Sequence, residues 1–412
     1  MSELSILYVW DADYPWDVRT EKICQALSDA GNRVTIVARN TAWAPERERL
    51  REGTVQRMRP WRRLGHRVDS LLGFPAFFSP RWSHLIRTAA RGCNADLIIV
   101  RDLPLGPTAV AAGRRLRIPV MLDMAENYPA MMRDRRKGNR SIVIDALVRN
   151  PRLVELVERY CISRVDRIVT VVEESSARLA TIGADPKRMT VVSNTPPKAR
   201  AMQATSKADL NARAVTIVYL GLLEAARGIG EFIDAMQILH GARQGAFRAI
   251  VVGGGRDEKL FITRARAAGI LDECITFLGR LSHADALDVV ARADIGIIPH
   301  HATESWNTTI PNKLFDYMAA GLAVVSSDAK PCVRIIEDTG CGVIFSSGDA
   351  QSLVEAITRA AAPGALKEMA AAGRRAILER YNWERDTERL LGAIREVVPS
   401  PSPDLLVSGR AS

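Results

Sequence analysis

The stretch SILYVWDADYPWDVRTEKICQALSDAGNRVTIVA (5–38) decides the fold class. Two runs within it, SILYVW (5–10) and RVTIVA (33–38), are apolar at successive positions, as a strand covered on both faces of a parallel sheet must be. Between them, Thr20 to Asp29 follows a helical pattern that Gly31 and Asn32 close as stop residues. Strand, helix and strand in this order make a βαβ unit.

The same alternation continues outward through DLIIV (96–100), IPVMLDM (118–124), DRIVTVV (166–172) and MTVVSN (189–194). It breaks over 196–214, a polar stretch with little apolar content, and restarts with VTIVYLG (215–221), AIVVGGG (249–255), ITFLGR (275–280), IGIIPH (295–300), AVVSSD (323–328) and GVIFSS (342–347). The expected architecture is α/β: two Rossmann-like, doubly wound parallel-sheet domains facing a cleft. The first spans 1–195 and the second 215–382, joined by a linker at 196–214. A helix at 383–398 is expected to pack back on the first domain, ahead of a flexible tail at 399–412.

Composition agrees with two ordinary globular cores: 412 residues, 47% hydrophobic and 25% charged. The six cysteines are scattered without Cys-x-x-Cys spacing, and MSELSILYVWDADYPW at the start reads as a strand and not as a leader, so a reducing cytoplasm is expected. No apolar run is long enough to span a bilayer. Net charge is uneven. Residues 1–200 hold 34 Lys and Arg against 22 Asp and Glu, whereas 201–412 hold 23 against 25. The basic first half suits an anionic partner such as a membrane surface on the cytoplasmic face, or else is a solvated basic surface with no partner. No nucleic-acid recognition motif accompanies the charge.

The segment richest in chemistry is TESWNTTIPNKLFDYMAAGLAVVSSD (303–328). Pro311 leads a helix that Gly321 ends, and a strand follows at once, so the helix start points toward the ligand edge of the sheet. Amides at such a start, with Asn307, Thr308, Thr309 and Asn312 as neutral donors and Lys313 as a charge, suit a diphosphate, and Asp316 one turn on suits ribose hydroxyls. An ordinary capped helix is the plain alternative. Arg227, after the turn at Gly221 in YLGLLEAARGIGEFIDAM (219–236), offers a guanidinium for phosphate oxygens. Gly253 and Gly254 in the triple glycine, with Gly279 and Arg280 closing another strand, are further donor-side candidates; tight turns need such glycines equally. His300 and His301 lack partners of metal-ligand spacing, so no metal and no cofactor is expected.

In the first half, Asp123 and Glu126 in DMAENYPAM (123–131), with Asp17 and Arg19, are acceptor-side candidates for orienting a hydroxyl; helix capping explains them as well. Arg57, Arg59, Trp61, Arg62, Arg63 and Arg67 mix cations with aromatics in a way that suits an anionic bilayer, at roughly 1 kcal/mol per cation.

The ordered series ILYVWDADYPWDVRTEKICQALSDAGNRVTIVAR, DMAENYP, VVSNTPP, YLGLLEAARGIGEFIDA, VVGGG, ITFLGRLSHADALDVVARADIGIIPH and PNKLFDYMAAGLAVVSSD resembles the retaining glycosyltransferases of the GT-B fold, family four, over nearly the whole chain. The resemblance implies a nucleotide sugar on the C-terminal domain, retention at the anomeric carbon and independence of a metal. It makes Asp316 the second member of a Glu-x₇-Glu pair, shortened by one methylene, with Thr308 where the first glutamate stands. Leu222 stands where the family tends to carry an arginine, Arg227 matches the cation before Gly228, and Ala125 stands where a histidine is common. The reaction implied is transfer of a sugar from a nucleoside-diphosphate sugar to an acceptor hydroxyl, sugar or lipid-linked, in surface polysaccharide or glycolipid synthesis. A nucleotide-sugar epimerase of the same fold, or a non-catalytic docking protein, are the alternatives.

Overall fold

The computed structural model describes residues 3–60, 77–136, 150–203 and 214–398. Two compact units divide the chain: Met1–Val192 with Thr387–Ser412, and Ser193–Asp386.

The first unit holds an eight-stranded sheet of β1 (Ser5–Val9), β2 (Arg33–Ala38), β3 (Arg47–Leu50), β4 (Gly53–Arg57), β5 (Leu97–Arg101), β6 (Val120–Met124), β7 (Arg167–Thr170) and β8 (Met189–Val191), in the order β3-β4-β2-β1-β5-β6-β7-β8. Every pairing is parallel except β3 with β4. All residues of β1, β5, β6 and β7 are buried, because crossover helices such as Val18–Asp29 and Gly106–Leu116 leave the central strands no open face.

The second unit repeats the plan with six parallel strands: β9 (Val215–Leu220), β10 (Phe247–Val252), β11 (Ile275–Gly279), β12 (Ile295–Ile298), β13 (Ala323–Ser327) and β14 (Gly342–Phe345), ordered β11-β10-β9-β12-β13-β14. Strand order reverses between β1 and β5 in one sheet and between β9 and β12 in the other. Crevices at the carboxyl ends of such strands are where open α/β sheets bind ligands.

Within the 196–214 stretch, Lys198–Gln203 is helical and belongs to the second unit. The helix Trp383–Val397 runs from one unit into the other; at its end Glu396 pairs with Arg167, both in the first unit.

Candidate functional site

In the second unit, two loops and the helix that follows the second meet beyond the carboxyl ends of β9 and β12. β9 delivers Tyr219 and then Gly221, whose backbone adopts φ +144°, a conformation closed to most side chains. A Cβ at Gly221 would lie 2.9 Å from the Lys313 ammonium, so glycine here makes room for the lysine. A 3₁₀ turn, Ala225–Arg227, places Arg227; Gly228 follows at φ +68° with its Cα against the Pro299 carbonyl, and the helix Ile229–Ala242 begins. β12 runs into His300. A second 3₁₀ turn, Trp306–Thr308, supplies Trp306, and the helix Lys313–Ala319 supplies Lys313 and Asp316.

These side chains form one stack. The Arg227 guanidinium lies 4.9 Å from the centre of the Trp306 indole, whose ring packs on His300 at 4.1 Å. His300 Nε2 is 3.4 Å from Lys313 Nζ, and that ammonium sits over Tyr219, 3.9 Å from the ring centre. Lys313 is 7% exposed, and neither it nor Arg227 has a carboxylate within ion-pairing distance among the described residues. Burial, and then the Arg227 charge, push the Lys313 ammonium well below its usual range. Burial also holds His300 neutral, reinforced by Lys313 and Arg227. A protonated Lys313 donates to Nε2, which puts the imidazole proton on Nδ1, an atom without a hydrogen-bond partner among the described residues. Aromatic faces thus hold both cations without neutralising them.

Asp316, one turn beyond Lys313, accepts a hydrogen bond from Arg200 Nη1 at 2.6 Å. A cavity of about 390 Å³ opens beside this pair.

The neighbouring candidates divide. The row of free amides expected at the helix start is largely spent: those of Leu314, Phe315 and Asp316 donate to Pro311 and Asn312 carbonyls, because the seven-residue helix opens with a tight turn. Asn307 and Thr308, both half-buried, brace the loop. The Asn307 carboxamide accepts from the Lys330 amide, and Thr308 Oγ1 donates to the Glu304 and Ser305 carbonyls. Thr309 is buried and Asn312 is exposed. Gly253 is required by packing, since a Cβ there would lie 1.8 Å from the Gly221 carbonyl oxygen. Gly254 lies against the Arg280 side chain, itself exposed, and Gly279 (φ +67°) turns the chain in open space.

In the first unit, the acceptor-side expectation for Asp123 and Arg19 is corrected by burial, whereas Asp17 stays partly exposed. Asp123 is 1% exposed and takes Arg19 Nη2 at 2.6 Å and the Tyr8 hydroxyl at 3.1 Å, while Arg19 Nη1 donates to the Val192 carbonyl at 2.8 Å. Asp17 caps its helix, accepting from the Thr20 amide and hydroxyl. Glu126 is half-buried. Sequence reasoning passed over Arg101, Asp102 and Asp11, which gather at this sheet's own reversal point. Arg101 Nη1 lies 3.5 Å from Asp102 and 3.6 Å from Asp123, and burial, then the Asp102 charge, raise Asp11 to about 6.

Arg57 is also corrected: at 5% exposure its guanidinium binds Glu48 and the Pro45 and Tyr14 carbonyls, so it serves the core and not a membrane. Arg59 is exposed; Trp61, Arg62, Arg63 and Arg67 lie outside the described residues.

Residues 17–195 match the family model described as glycosyl transferase 4-like domain, and residues 214–362 match glycosyl transferases group 1. Together the two models span most of the chain, which belongs to the glycosyltransferases built of these two domains. A phosphatidyl-myo-inositol mannosyltransferase of Mycobacterium leprae is 28% identical to it over 181 residues, 44% of this chain and 43% of the relative. The amylovoran biosynthesis glycosyltransferase AmsK of Erwinia amylovora is 31% identical over 144 residues, 35% of each chain. The aligned stretches thus span less than half of these relatives. Among solved structures, sucrose-phosphate synthase from Thermosynechococcus elongatus superposes with a TM-score of 0.73 at 17% identity, covering 96% of this chain and 99% of the other. Anabaena HepE, solved in complex with UDP, gives 0.69 at 14% identity over 95% and 100%. These likenesses establish that this glycosyltransferase has the GT-B fold.

Proposed function

We propose that this protein transfers a sugar, with retention at the anomeric carbon, from a nucleoside-diphosphate sugar to an acceptor hydroxyl in polysaccharide or glycolipid synthesis. The observation that carries this reading is the pair of cations, Arg227 and Lys313, held without carboxylates at the reversal point of the second sheet. Two positive charges without a carboxylate partner among the described residues, Lys313 buried and Arg227 half-buried, suit a ligand that brings negative charge of its own, and a diphosphate does. Asp316, one turn along the same helix, is assigned to the ribose. The nucleophile is the acceptor's hydroxyl, so the protein's task is to stabilise the charge that grows on the departing diphosphate. One cation about 4 Å from a unit charge contributes up to ~4 kcal/mol at an effective dielectric near 20. Two such cations take the role that a metal plays in other transferases.

HepE is described as binding UDP and UDP-glucose, which makes uridine the first base to try. Calorimetry with UDP, GDP, ADP and their sugar conjugates, in the absence of divalent metal, is expected to show selective binding of one nucleotide, weakened about 10-fold to 100-fold by Asp316→Ala. Binding of none of them would remove the transferase reading.

A second surface bears on the acceptor. On the helix Pro151–Ile162, Arg152, Leu153, Leu156 and Arg159 are exposed, Leu156 to 65%, and Phe78 stands exposed at 62% with its ring edge on Tyr160. Of the acids on that helix, Glu158 is buried against Arg178, and Glu155, partly exposed, pairs with Arg133. Leucines and arginines on a face whose one exposed acid is paired suit the surface of an anionic bilayer and a lipid-linked acceptor, and no helix among the described residues is long and apolar enough to cross one. The protein is expected to co-sediment with phosphatidylglycerol vesicles and not with phosphatidylcholine ones. The double variant Leu153→Asp/Leu156→Asp is expected to lose most of that binding while keeping donor affinity.

A further inference from the structure

We propose that Arg200 is a positioning residue that sets the protein's selectivity for a ribose-bearing donor, by holding the Asp316 carboxylate in the orientation a ribose diol requires. This rests on the reading of Asp316 given above.

Three helix faces line the cavity beside the pair. Arg200 and Gln203 stand three apart on Lys198–Gln203. Leu287 and Asp288 lie on His283–Arg292, and Asp316 and Ala320 stand four apart on and just after Lys313–Ala319. At about 390 Å³ the space is in the range of small-molecule sites. Asp316 is shorter by a methylene than the glutamate its motif resembles, and even a short carboxylate on a helix turns about its last bond. Arg200, 116 positions earlier in the chain, restrains that rotation through a charged hydrogen bond, Nη1 to Oδ1 at 2.6 Å. The pair remains partly exposed, at 29% and 18% of the two side chains, so a ligand can reach it. Partly exposed ion pairs add little to stability in general, which leaves the geometric effect as the consequence of this one. A vicinal diol reads a carboxylate through two oxygens at once, and it therefore senses the rotation that Arg200 fixes.

The test compares the affinities of a nucleoside diphosphate and its 2′-deoxy form, by calorimetry, in the wild type, Arg200→Ala, Arg200→Lys and Asp316→Ala; the base is the one the wild type prefers among UDP, GDP and ADP. Wild type is expected to favour the ribonucleotide. Arg200→Ala is expected to shrink that preference by about tenfold, a loss of the size of one charge-assisted hydrogen bond, with the deoxy form's affinity unchanged. Arg200→Lys restores part of it. The unchanged deoxy affinity also shows that the variant is folded, and a merely structural role would weaken both ligands together. A full preference retained in Arg200→Ala, or a gain in affinity for both ligands, overturns the proposal, the latter making Arg200 an occupant that the donor expels. If Asp316→Ala keeps the wild-type preference, the ribose reading itself has failed; if Asp316→Ala loses it and Arg200→Ala does not, only the role of Arg200 has.

Discussion

Lys313→Ala is expected to lower the rate of sugar transfer by about 10²-fold to 10³-fold, and Lys313→Met to do the same without loosening the fold. In the free protein this ammonium is buried, stands near a second cation, and among the described residues packs on the face of Tyr219 and the ring of His300. A desolvated charge without a counter-charge lowers stability, so methionine, which keeps the packed stem, is expected to raise the melting temperature or leave it unchanged. Stability and activity then move in opposite directions, an outcome that simple damage to the fold cannot produce. The pH dependence has a definite sign. A bound diphosphate raises the pKa that burial and Arg227 depress, so binding takes up a proton wherever Lys313 is neutral in the free protein. Donor affinity is then full below the free-state pKa and declines as pH rises through the bound-state value. Lys313→Arg, charged at every accessible pH, is expected to flatten that profile whatever its affinity. Calorimetry across pH measures the slope, and turnover measures the rate. Near-wild-type transfer by Lys313→Met would remove this residue from the diphosphate site.

What could be read from the chain follows from which signals are local. Ile6–Val9 and Ile295–Ile298 announce themselves because a strand covered on both sides is apolar at every position. β3, RERL at Arg47–Leu50, does not: it is an antiparallel edge strand with charged, partly exposed side chains, and its composition is that of a loop. Lys313 and Asp316 are legible because Pro311 and Gly321 bracket their helix in sequence. Tyr219 and Trp306 are not, since an aromatic side chain carries the same signature in a core as it does beneath a cation. The Arg200–Asp316 and Arg19–Asp123 pairs join residues 116 and 104 positions apart, distances over which no spacing rule operates. Arg57 misled for a related reason. Charge in a sequence reads as surface until the groups that absorb it, here Glu48 and two carbonyls, are brought around it by the fold.

The Arg19–Asp123 pair carries the other large expectation: Asp123→Ala is expected to destabilise the first unit by about 3–5 kcal/mol. Removing the carboxylate leaves Arg19 and Arg101 buried with their charges only partly answered, and strips the Tyr8 hydroxyl of its acceptor. Burial by itself would raise the Asp123 pKa, but Arg19, then Arg101, and the hydrogen bonds from Arg19 and Tyr8 outweigh it and hold the carboxyl below its ordinary value. With a folded-state pKa lowered, the stabilisation is fully present above the unfolded-state pKa of about 4 and is lost only as pH falls through the folded-state value. Denaturant melts near neutral pH therefore read the whole effect. The double variant Arg19→Met/Asp123→Leu, which replaces the pair by apolar groups, is expected to recover much of the loss, giving a coupling energy that a single substitution cannot. Asp123→Asn separates this role from acceptor binding, because it keeps the shape and removes the charge. Reduced stability with the acceptor's KM unchanged fits a carboxylate that belongs to the fold. A stable Asp123→Asn protein with a raised KM for the acceptor would return Asp123 to the acceptor site that its place after a strand suggests.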